Sequence, residues 1–287
     1  MHRQAERNAG RSAQWLGSAL LLVIGVCAFL APLIAPADPF ALDGPVLQAP
    51  SAAFPMGTDD LGRDVFSAVV HGARASSVMA LGSATLIGLV GIAVGIVSGY
   101  LGRWVDDGLM RLTELVQVLP RFFLAIVVVA LFGPGLDRII VVLGITSWPP
   151  LARIVRAEVL SMRSQEYIDS ARALGARTGR ILWYHLLPGV VPGAAAYLSL
   201  AVAQVLLIEA SLGFIGLSDP TVMSWGLLVG NARDFIRSAW WLAMFPGAAI
   251  AIAVLGLNLV ADGVVARLTR RGGSGVAVST RSSHSAA

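Results

Sequence analysis

The chain has 287 residues, of which 56% are hydrophobic and only 13% are charged, and its mean hydropathy is +0.75. In a soluble domain, about a quarter of the residues would be charged. Six membrane helices of about 20 residues each would account for a large part of the chain. The composition therefore predicts an all-α polytopic membrane protein and argues against a soluble enzyme with one large core.

The basic residues exclude several kinds of chemistry. All 21 are arginines, so the chain has neither the P-loop lysine that binds ATP phosphates nor a lysine for Schiff-base catalysis. The single cysteine, Cys27, excludes an internal disulfide and any Cys-x-x-Cys site, and the four histidines are scattered. We therefore predict a non-catalytic chain with no catalytic, cofactor-binding or metal-binding residues of its own.

Six long apolar stretches predict six transmembrane helices, since a hydrocarbon layer of about 30 Å needs about 20 helical residues. In chain order they are Ser12–Ala37, Ala75–Gly102, Leu115–Leu136, Leu136–Leu160, Ile181–Ile208 and Ser238–Ala261. The third and fourth contain charged residues, Arg121 among them, so we expect them to face protein or a water-filled cavity instead of lipid.

The arginines also predict the orientation of the chain. Six spans would leave four segments on the same side of the membrane: 1–14, 101–114, 153–185 and 262–287. These segments contain 15 of the 21 arginines. Because cytoplasmic segments are enriched in arginine, both termini are expected to be cytoplasmic. This bias also accounts for the sequence pI near 10, which by itself would suggest nucleic-acid binding. The predicted parts are a cytoplasmic N-terminal tail at 1–14, a transmembrane domain at 15–271 with an outer segment at 36–74, and a disordered tail at 272–287.

The cytoplasmic loop at 163–187 predicts a short amphipathic helix. Ser164 can cap a helix that has Glu166 in its first turn, and Gly175 suits the left-handed position that ends it. Pro188 is tolerated in the first turn of the next span. The apolar stripe of the helix consists of Ile168, Ala171 and Leu174. Such a helix either rests at the membrane interface or docks in a groove of another protein and transmits its motion.

The same loop resembles the cytoplasmic coupling loop, or EAA loop, of ABC-importer permeases. The family pattern is Glu-Ala-Ala, three residues, Gly, nine residues and Ile-x-Leu-Pro. Here the spacing from Gly175 to Leu187-Pro188 is intact, while Asp169-Ser170 replaces Glu-Ala and His185 replaces Ile. The resemblance implies that eight residues couple the chain to an ATPase: Glu166, Asp169, Ala171, Arg172, Leu174, Gly175, Leu187 and Pro188.

Three further stretches resemble the dipeptide, oligopeptide and nickel subfamily of these permeases, and within it the second of the two permease subunits. They are 56–67 with 72–74, 209–217 with 224–226, and 245–247 with 257–263. The resemblance implies a type I permease fold with six transmembrane helices. It also implies a permease subunit that moves di- or oligopeptides across the plasma membrane of a prokaryote.

The resemblance further implies the partners of the chain. They are a second related permease, two cytoplasmic ATPases that bind the ATP, and an extracytoplasmic substrate-binding protein. The chain would sit among membrane lipids, would bind no nucleic acid and would hold no cofactor. The missing lysine agrees with this expectation, because the energy would have to come from a partner chain.

Two polar residues are candidates for the translocation path or its outer mouth. Glu209 lies 21 residues after Pro188, which corresponds to about 32 Å of helix and places it near the outer mouth. Its alternative role is a bond to a local helix-end partner. Asn258, in the last predicted span, lines the path or forms an interhelical hydrogen bond.

Glycines and tryptophans give two more expectations. Gly91, Gly95 and Gly99 allow a close helix approach, either to the partner permease or within this chain. Trp240 and Trp241 are expected to anchor the outer membrane interface.

The rival hypothesis is a secondary transporter driven by an ion gradient. Such carriers place an acid or paired charges near the bilayer midplane and often contain inverted repeats. The first, second and sixth predicted spans contain no carboxylate at mid-span, and the sequence has no evident repeat. These observations disfavour the carrier.

Overall fold

The computed structural model describes residues 2–273, with side chains from Ser12 to Ala266. This part is helical, with one π-helical turn at Leu182–Leu186 and one 3-10 turn at Arg233–Phe235. The α-helices are α1 His2–Phe29, α2 Ala31–Ile34, α3 Val65–Leu101, α4 Arg103–Val118, α5 Arg121–Phe132, α6 Leu136–Ser147, α7 Pro149–Arg163, α8 Glu166–Ala173, α9 Thr178–Ile181, α10 Leu187–Phe214, α11 Trp225–Ala232 and α12 Trp241–Gly273.

Five helical runs are long and apolar enough to cross a membrane, and a bent pair makes a sixth. The five runs are Ser12–Phe29, Val65–Leu101, Leu136–Arg163, Thr178–Phe214 and Trp241–Ala266. The bent pair is α4 and α5, which meet at 71°. Their break falls at Pro120, which lacks an N–H and disfavours helical geometry at the residue before it. With this pair counted as one span, the prediction of six spans is confirmed.

Two predicted boundaries are wrong for local reasons. The second span begins at Val65, ten residues before Ala75, because Asp64 caps it. Its carboxylate accepts hydrogen bonds from the N–H groups of Phe66 (3.2 Å) and Ser67 (3.0 Å). The loop before α3 therefore ends at residue 64 instead of 74.

The apolar stretch predicted at Ser12–Ala37 is not one helix. It breaks after Phe29, and the one-turn helix α2 that follows contains Pro32 in its first turn. A proline inside a continuous helix would clash with the carbonyl four residues before it. At the other end of the chain, α12 includes residues 272 and 273 of the predicted tail. The rest of that tail lies outside the described residues.

Helices α3 and α10 form the centre of the molecule. Helix α3 packs against α6 and α7, and α10 packs against α3, α7, α11 and α12. Helix α1 lies antiparallel to α12 at the edge, with Gly17 against the Gly256 carbonyl and Gly263 against Gln14. The main core cluster joins α3, α6, α7 and α10 to the short helices α8 and α9.

The three glycines of α3 pack inside this chain. A Cβ atom at Gly95 would lie 2.6 Å from the Val155 Cβ, and the neighbours of Gly91 and Gly99 are Leu151 and Val159. The α7 residues repeat every four positions, as the glycines do, and all three are fully buried. Each glycine therefore receives one α7 side chain. Of the two interpretations of these glycines, internal packing is the one the structure bears out.

Candidate functional site

Helix α8 is the predicted helix of the cytoplasmic loop, but its start differs from the prediction. Ser164 ends α7, and its hydroxyl donates to the Ser161 carbonyl oxygen at 3.1 Å. Gln165 occupies the N-cap position of α8 without a side-chain bond to the helix. Glu166 is still in the first turn, exposed, where its negative charge suits the positive helix end.

Gly175 ends α8 in the left-handed conformation that the sequence predicts. Its φ is +79°, its N–H donates to the Arg172 carbonyl at 2.9 Å, and the N–H of Ala176 donates to the Ala171 carbonyl at 3.0 Å. This pair of bonds is a Schellman motif, which satisfies the last carbonyls of the helix. No atom lies within 4 Å of the position that a Gly175 Cβ would take. The backbone conformation, not crowding, therefore requires glycine here.

The predicted apolar stripe of α8 divides into a buried and an exposed end. Ile168 is fully buried in the main core, Ala171 is half-buried, and Leu174 is 88% exposed. Two large aromatic side chains in the following turns, Trp183 and Tyr184, are also exposed. One end of α8 is therefore anchored in the core, and the other presents apolar surface.

Two side-chain contacts join α8 to the membrane helices. Arg172 pairs with Asp169 at 3.2 Å, and its guanidinium lies 5.5 Å from the ring centroid of Tyr100, at the end of α3. The ring of Tyr167 stacks on His185, with centroids 6.2 Å apart. Asp169 and Arg172 thus belong to one exposed group on α8.

The last two predicted coupling residues open α10. Leu187 is half-buried against the main core and Pro188 is exposed. The π-helical turn Leu182–Leu186 leads directly into this helix, so α9 and α10 form one continuous run. Pro188 has no N–H for the carbonyl of Tyr184, and the wider π turn accommodates that gap. The second half of the loop, from Thr178 onward, and the fifth span therefore form one continuous helical segment.

Charged contacts behind the loop were not predicted from the sequence. Arg156 on α7 binds Asp106 on α4 through two hydrogen bonds of 2.6 Å. Arg163, at the end of α7, donates to the Tyr100 carbonyl at 3.0 Å. These contacts join α3, α4 and α7 next to α8. They connect residues 50 and 63 positions apart, so no local pattern in the sequence indicates them.

Glu209 lies in a buried network between three helices. It is 2% exposed and accepts a hydrogen bond from the Ser76 hydroxyl on α3 (3.2 Å) and another from the Gly226 N–H on α11 (3.2 Å). The Ser76 hydroxyl oxygen in turn accepts a hydrogen bond from the backbone N–H of Trp225 at 3.1 Å. This placement favours the local-partner alternative for Glu209.

The remaining candidates lie on α12 and before it. Asn258 is half-buried on α12. Trp240 is 53% exposed, as expected of an interface anchor, but Trp241 is 5% exposed, and its Nε1 donates to the Thr58 carbonyl at 3.1 Å. The prediction for Trp241 is therefore wrong, because the loop before α3 folds over this ring.

A cavity of about 550 Å³ lies at the opposite end of the molecule from α8. It is bounded by the loop before α3, the end of α10, the α5–α6 link and α11. Lining side chains with charge or polarity are Asp60, Arg63, Ser218, Asn231, Arg233 and Asp234. At its edge, burial raises the pKa of the Asp59 carboxyl above its usual range, while bonds from the N–H groups of Arg63 and Leu61 oppose the shift.

These features define a class of protein. The chain is a helical multi-pass membrane protein with a polar cavity at one end and an anchored, partly exposed short helix at the other. The family of the chain follows from comparison. Residues 91–272 match the family model described as binding-protein-dependent transport system inner membrane component.

Relatives match over most of the chain. A di/tripeptide transport system permease protein of Pseudomonas aeruginosa is 36% identical over 256 residues, which cover 86% of this chain and 84% of the relative. A dipeptide transport system permease protein of Alkalihalophilus pseudofirmus is 38% identical, over 76% and 72% of the two chains. A probable peptide ABC transporter permease protein of Sinorhizobium fredii is 39% identical, over 87% and 86%.

The chain therefore belongs to the family of inner membrane components of binding-protein-dependent transport systems, the permeases of ABC importers. As such it is a non-catalytic, multi-pass component of a bacterial inner membrane, and it works with ABC partners and a binding protein. The ATP is bound by the ATPase partners, not by the permease. The predicted resemblance is confirmed.

Proposed function

We propose that this chain is the membrane-spanning permease of an ATP-driven importer of di- and oligopeptides. The observation that supports it best is the anchored helix α8, whose sequence spacing and Gly175 turn fit a coupling loop. Relatives named for dipeptide and di/tripeptide transport support the substrate class. The full assembly would contain a second related permease, two ATPases and one extracytoplasmic binding protein.

In this proposal, α8 is the part that docks in a groove of one ATPase. Its exposed Glu166, Asp169 and Leu174 would contact the groove, and Ile168 would carry the motion into the core. The Arg172–Tyr100 contact, the Schellman turn at Gly175 and the Leu187-Pro188 start of α10 make the loop stiff. A stiff loop transmits displacement because it cannot absorb it locally.

The proposal also places both termini in the cytoplasm. The arginine distribution supports this orientation. Helix α8 and the inner end of α3, which share the Arg172–Tyr100 contact, would then face the ATPases. The polar cavity at the opposite end would then open outward, towards the binding protein.

The test is purification of the chain from its native membrane in mild detergent, with identification of the co-purifying chains and an ATPase assay. We expect a second permease and ATPases that carry P-loop lysines, with ATP hydrolysis in the purified sample. A folded chain that purifies alone and without ATPase activity would contradict the proposal and favour a gradient-driven carrier.

A further inference from the structure

One arginine stands at the break in the third span. Arg121 is the first residue of α5, directly after Pro120, where α4 and α5 meet at 71°. Its Nη1 lies 3.4 Å from the Oε1 of Gln204, and the Tyr197 hydroxyl interacts with the same guanidinium. Gln204 and Tyr197 both belong to α10. The three side chains thus form a polar group between α5 and α10.

This group lies at the middle depth of the membrane part. Leu198, the neighbour of Tyr197, contacts Gly88, which is the midpoint of the apolar stretch Ala75–Gly102 of α3. Gln204 lies six residues further along α10, about 9 Å towards the outward end. A charged side chain at such a depth is costly, and it usually faces a pathway or a polar partner.

The polar group continues as a stripe along α10. Tyr197, Gln204 and Ser211 follow one another at intervals of seven residues, which is close to two helical turns, so they share one face. Tyr197 is half-buried, and Gln204 and Ser211 are exposed. The stripe spans about 21 Å of a largely apolar helix.

The outward end of the stripe meets the outward cavity. Gly213 and Phe214, the last residues of α10, line that cavity. Pro134, just past the end of α5, lines it as well. Helices α5 and α10 thus each run from this cavity to the polar group of Arg121, Tyr197 and Gln204.

Arg121 has capacity for a further ligand. A guanidinium carries five N–H donors in a planar fork that fits a carboxylate through two parallel bonds. None of the four ion pairs among the described side chains, those of residues 12–266, involves Arg121. The bond from Nη1 to Gln204 is long, at 3.4 Å, and therefore weak. It uses one of the five N–H donors of the guanidinium.

We propose that Arg121 binds a carboxylate of the substrate at the middle of the membrane, with Tyr197 and Gln204 positioning its guanidinium. The inference rests on the proposed function, because it takes the substrate to be a peptide with a free carboxylate. It adds a selective site within the permease to the selection made by the binding protein.

The test uses the complete transporter reconstituted in proteoliposomes with one preparation of binding protein. Uptake of a dipeptide with a free C-terminal carboxylate is compared with uptake of the same dipeptide as its C-terminal amide, each at a concentration that saturates the binding protein. The measured quantity is the uptake rate of the free-acid dipeptide divided by the uptake rate of its amide. Because the binding protein is the same throughout, a change in this ratio between permease variants reports the permease.

Arg121→Gln is expected to lower the ratio about tenfold, the effect of one lost charge-assisted hydrogen bond. Arg121→Lys keeps the charge without the fork, and we expect an intermediate ratio. Arg237→Gln removes an exposed arginine from the link between α11 and α12, and the ratio should stay at the wild-type value.

A purely structural role for Arg121 would lower both uptake rates equally and leave the ratio unchanged, and that result would overturn the inference. If Arg121→Gln does not fold, a wild-type ratio in Arg121→Lys at full activity would overturn it too. A wild-type transporter that imports neither peptide, but hydrolyses ATP, would instead refute the peptide substrate, and the inference with it.

Discussion

At the scale of single residues, the carboxyl group of Glu209 joins three helices in the half of the molecule away from α8. The buried hydroxyl of Ser76 and the buried N–H of Gly226 both donate hydrogen bonds to this carboxyl group. A buried donor without an acceptor costs about 1–3 kcal/mol. Glu209 is therefore expected to stabilise the packing of α3, α10 and α11.

Glu209→Ala should lower the free energy of unfolding by about 2 kcal/mol, because it leaves two buried donors unpaired. The measurement is thermal unfolding of the purified chain in detergent. Glu209→Gln keeps an acceptor and should lose less, and Ser211→Ala, at an exposed serine of the same helix, should lose almost nothing. Unchanged stability of Glu209→Ala with reduced uptake would instead place Glu209 at the outer mouth.

At the scale of helices, the contact between α3 and α7 depends on the absence of side chains at three glycines. Gly95→Ala would place a Cβ 2.6 Å from Val155 and 2.7 Å from the Ala152 carbonyl. Overpacking of this kind costs about 1–3 kcal/mol, so the melting temperature should fall. Gly25→Ala is the matched control, because no atom lies within 4 Å of that Cβ. Equal melting temperatures of the two variants would contradict the close approach of α3 and α7.

The turn after α8 provides a prediction about coupling. An aspartate at position 175 must adopt a φ of +79°, which costs about 1–2 kcal/mol for an L-residue, so the Schellman turn should loosen. We expect Gly175→Asp to hydrolyse ATP but to import little peptide. The measurement compares ATP hydrolysis and uptake in the reconstituted transporter.

Two variants separate the turn from the added charge. Gly175→Val adds no charge, but a β-branched residue is a strong outlier at a positive φ, so it should lose uptake at least as severely as Gly175→Asp. Gly179→Asp adds the same charge in the same loop, where φ is not positive and no atom lies within 4 Å, and it should stay coupled. Wild-type uptake by Gly175→Asp would refute the role of the turn.

The elements show which features local sequence predicts well. Apolar stretches indicate the membrane helices because burial in lipid depends on composition over about 20 residues. Gly175 was predicted because a helix end is a local event. The start of α3 was missed because an N-cap at Asp64 extends the helix beyond its apolar part.

Contacts between distant residues were not predictable in the same way. The burial of Trp241 depends on Thr58, which is 183 residues away, and the partner of Glu209 on α3 is 133 residues away. The Gly91-Gly95-Gly99 pattern indicates a close approach, but the pattern alone does not identify α7 as the partner. Only the fold brings these residues together.

At the scale of the whole molecule, the chain connects a polar cavity at one end to an exposed short helix at the other through α3 and α10. The cavity lies at one end of α10, and the second half of the proposed coupling loop, from Thr178, begins the other end of the same continuous helical run. A displacement of α8 that passes through the Gly175 turn to Thr178 would therefore reach the cavity along one helical run. This arrangement suits a permease that alternates between outward-open and inward-open states.

The most direct test of this account is uptake of a labelled dipeptide by the complete transporter in proteoliposomes, with the binding protein outside and ATP inside. We expect uptake that requires both ATP and the binding protein and is unaffected when the ion gradients are collapsed. Uptake that continues without ATP and stops when a gradient is collapsed would contradict the account and identify a secondary transporter.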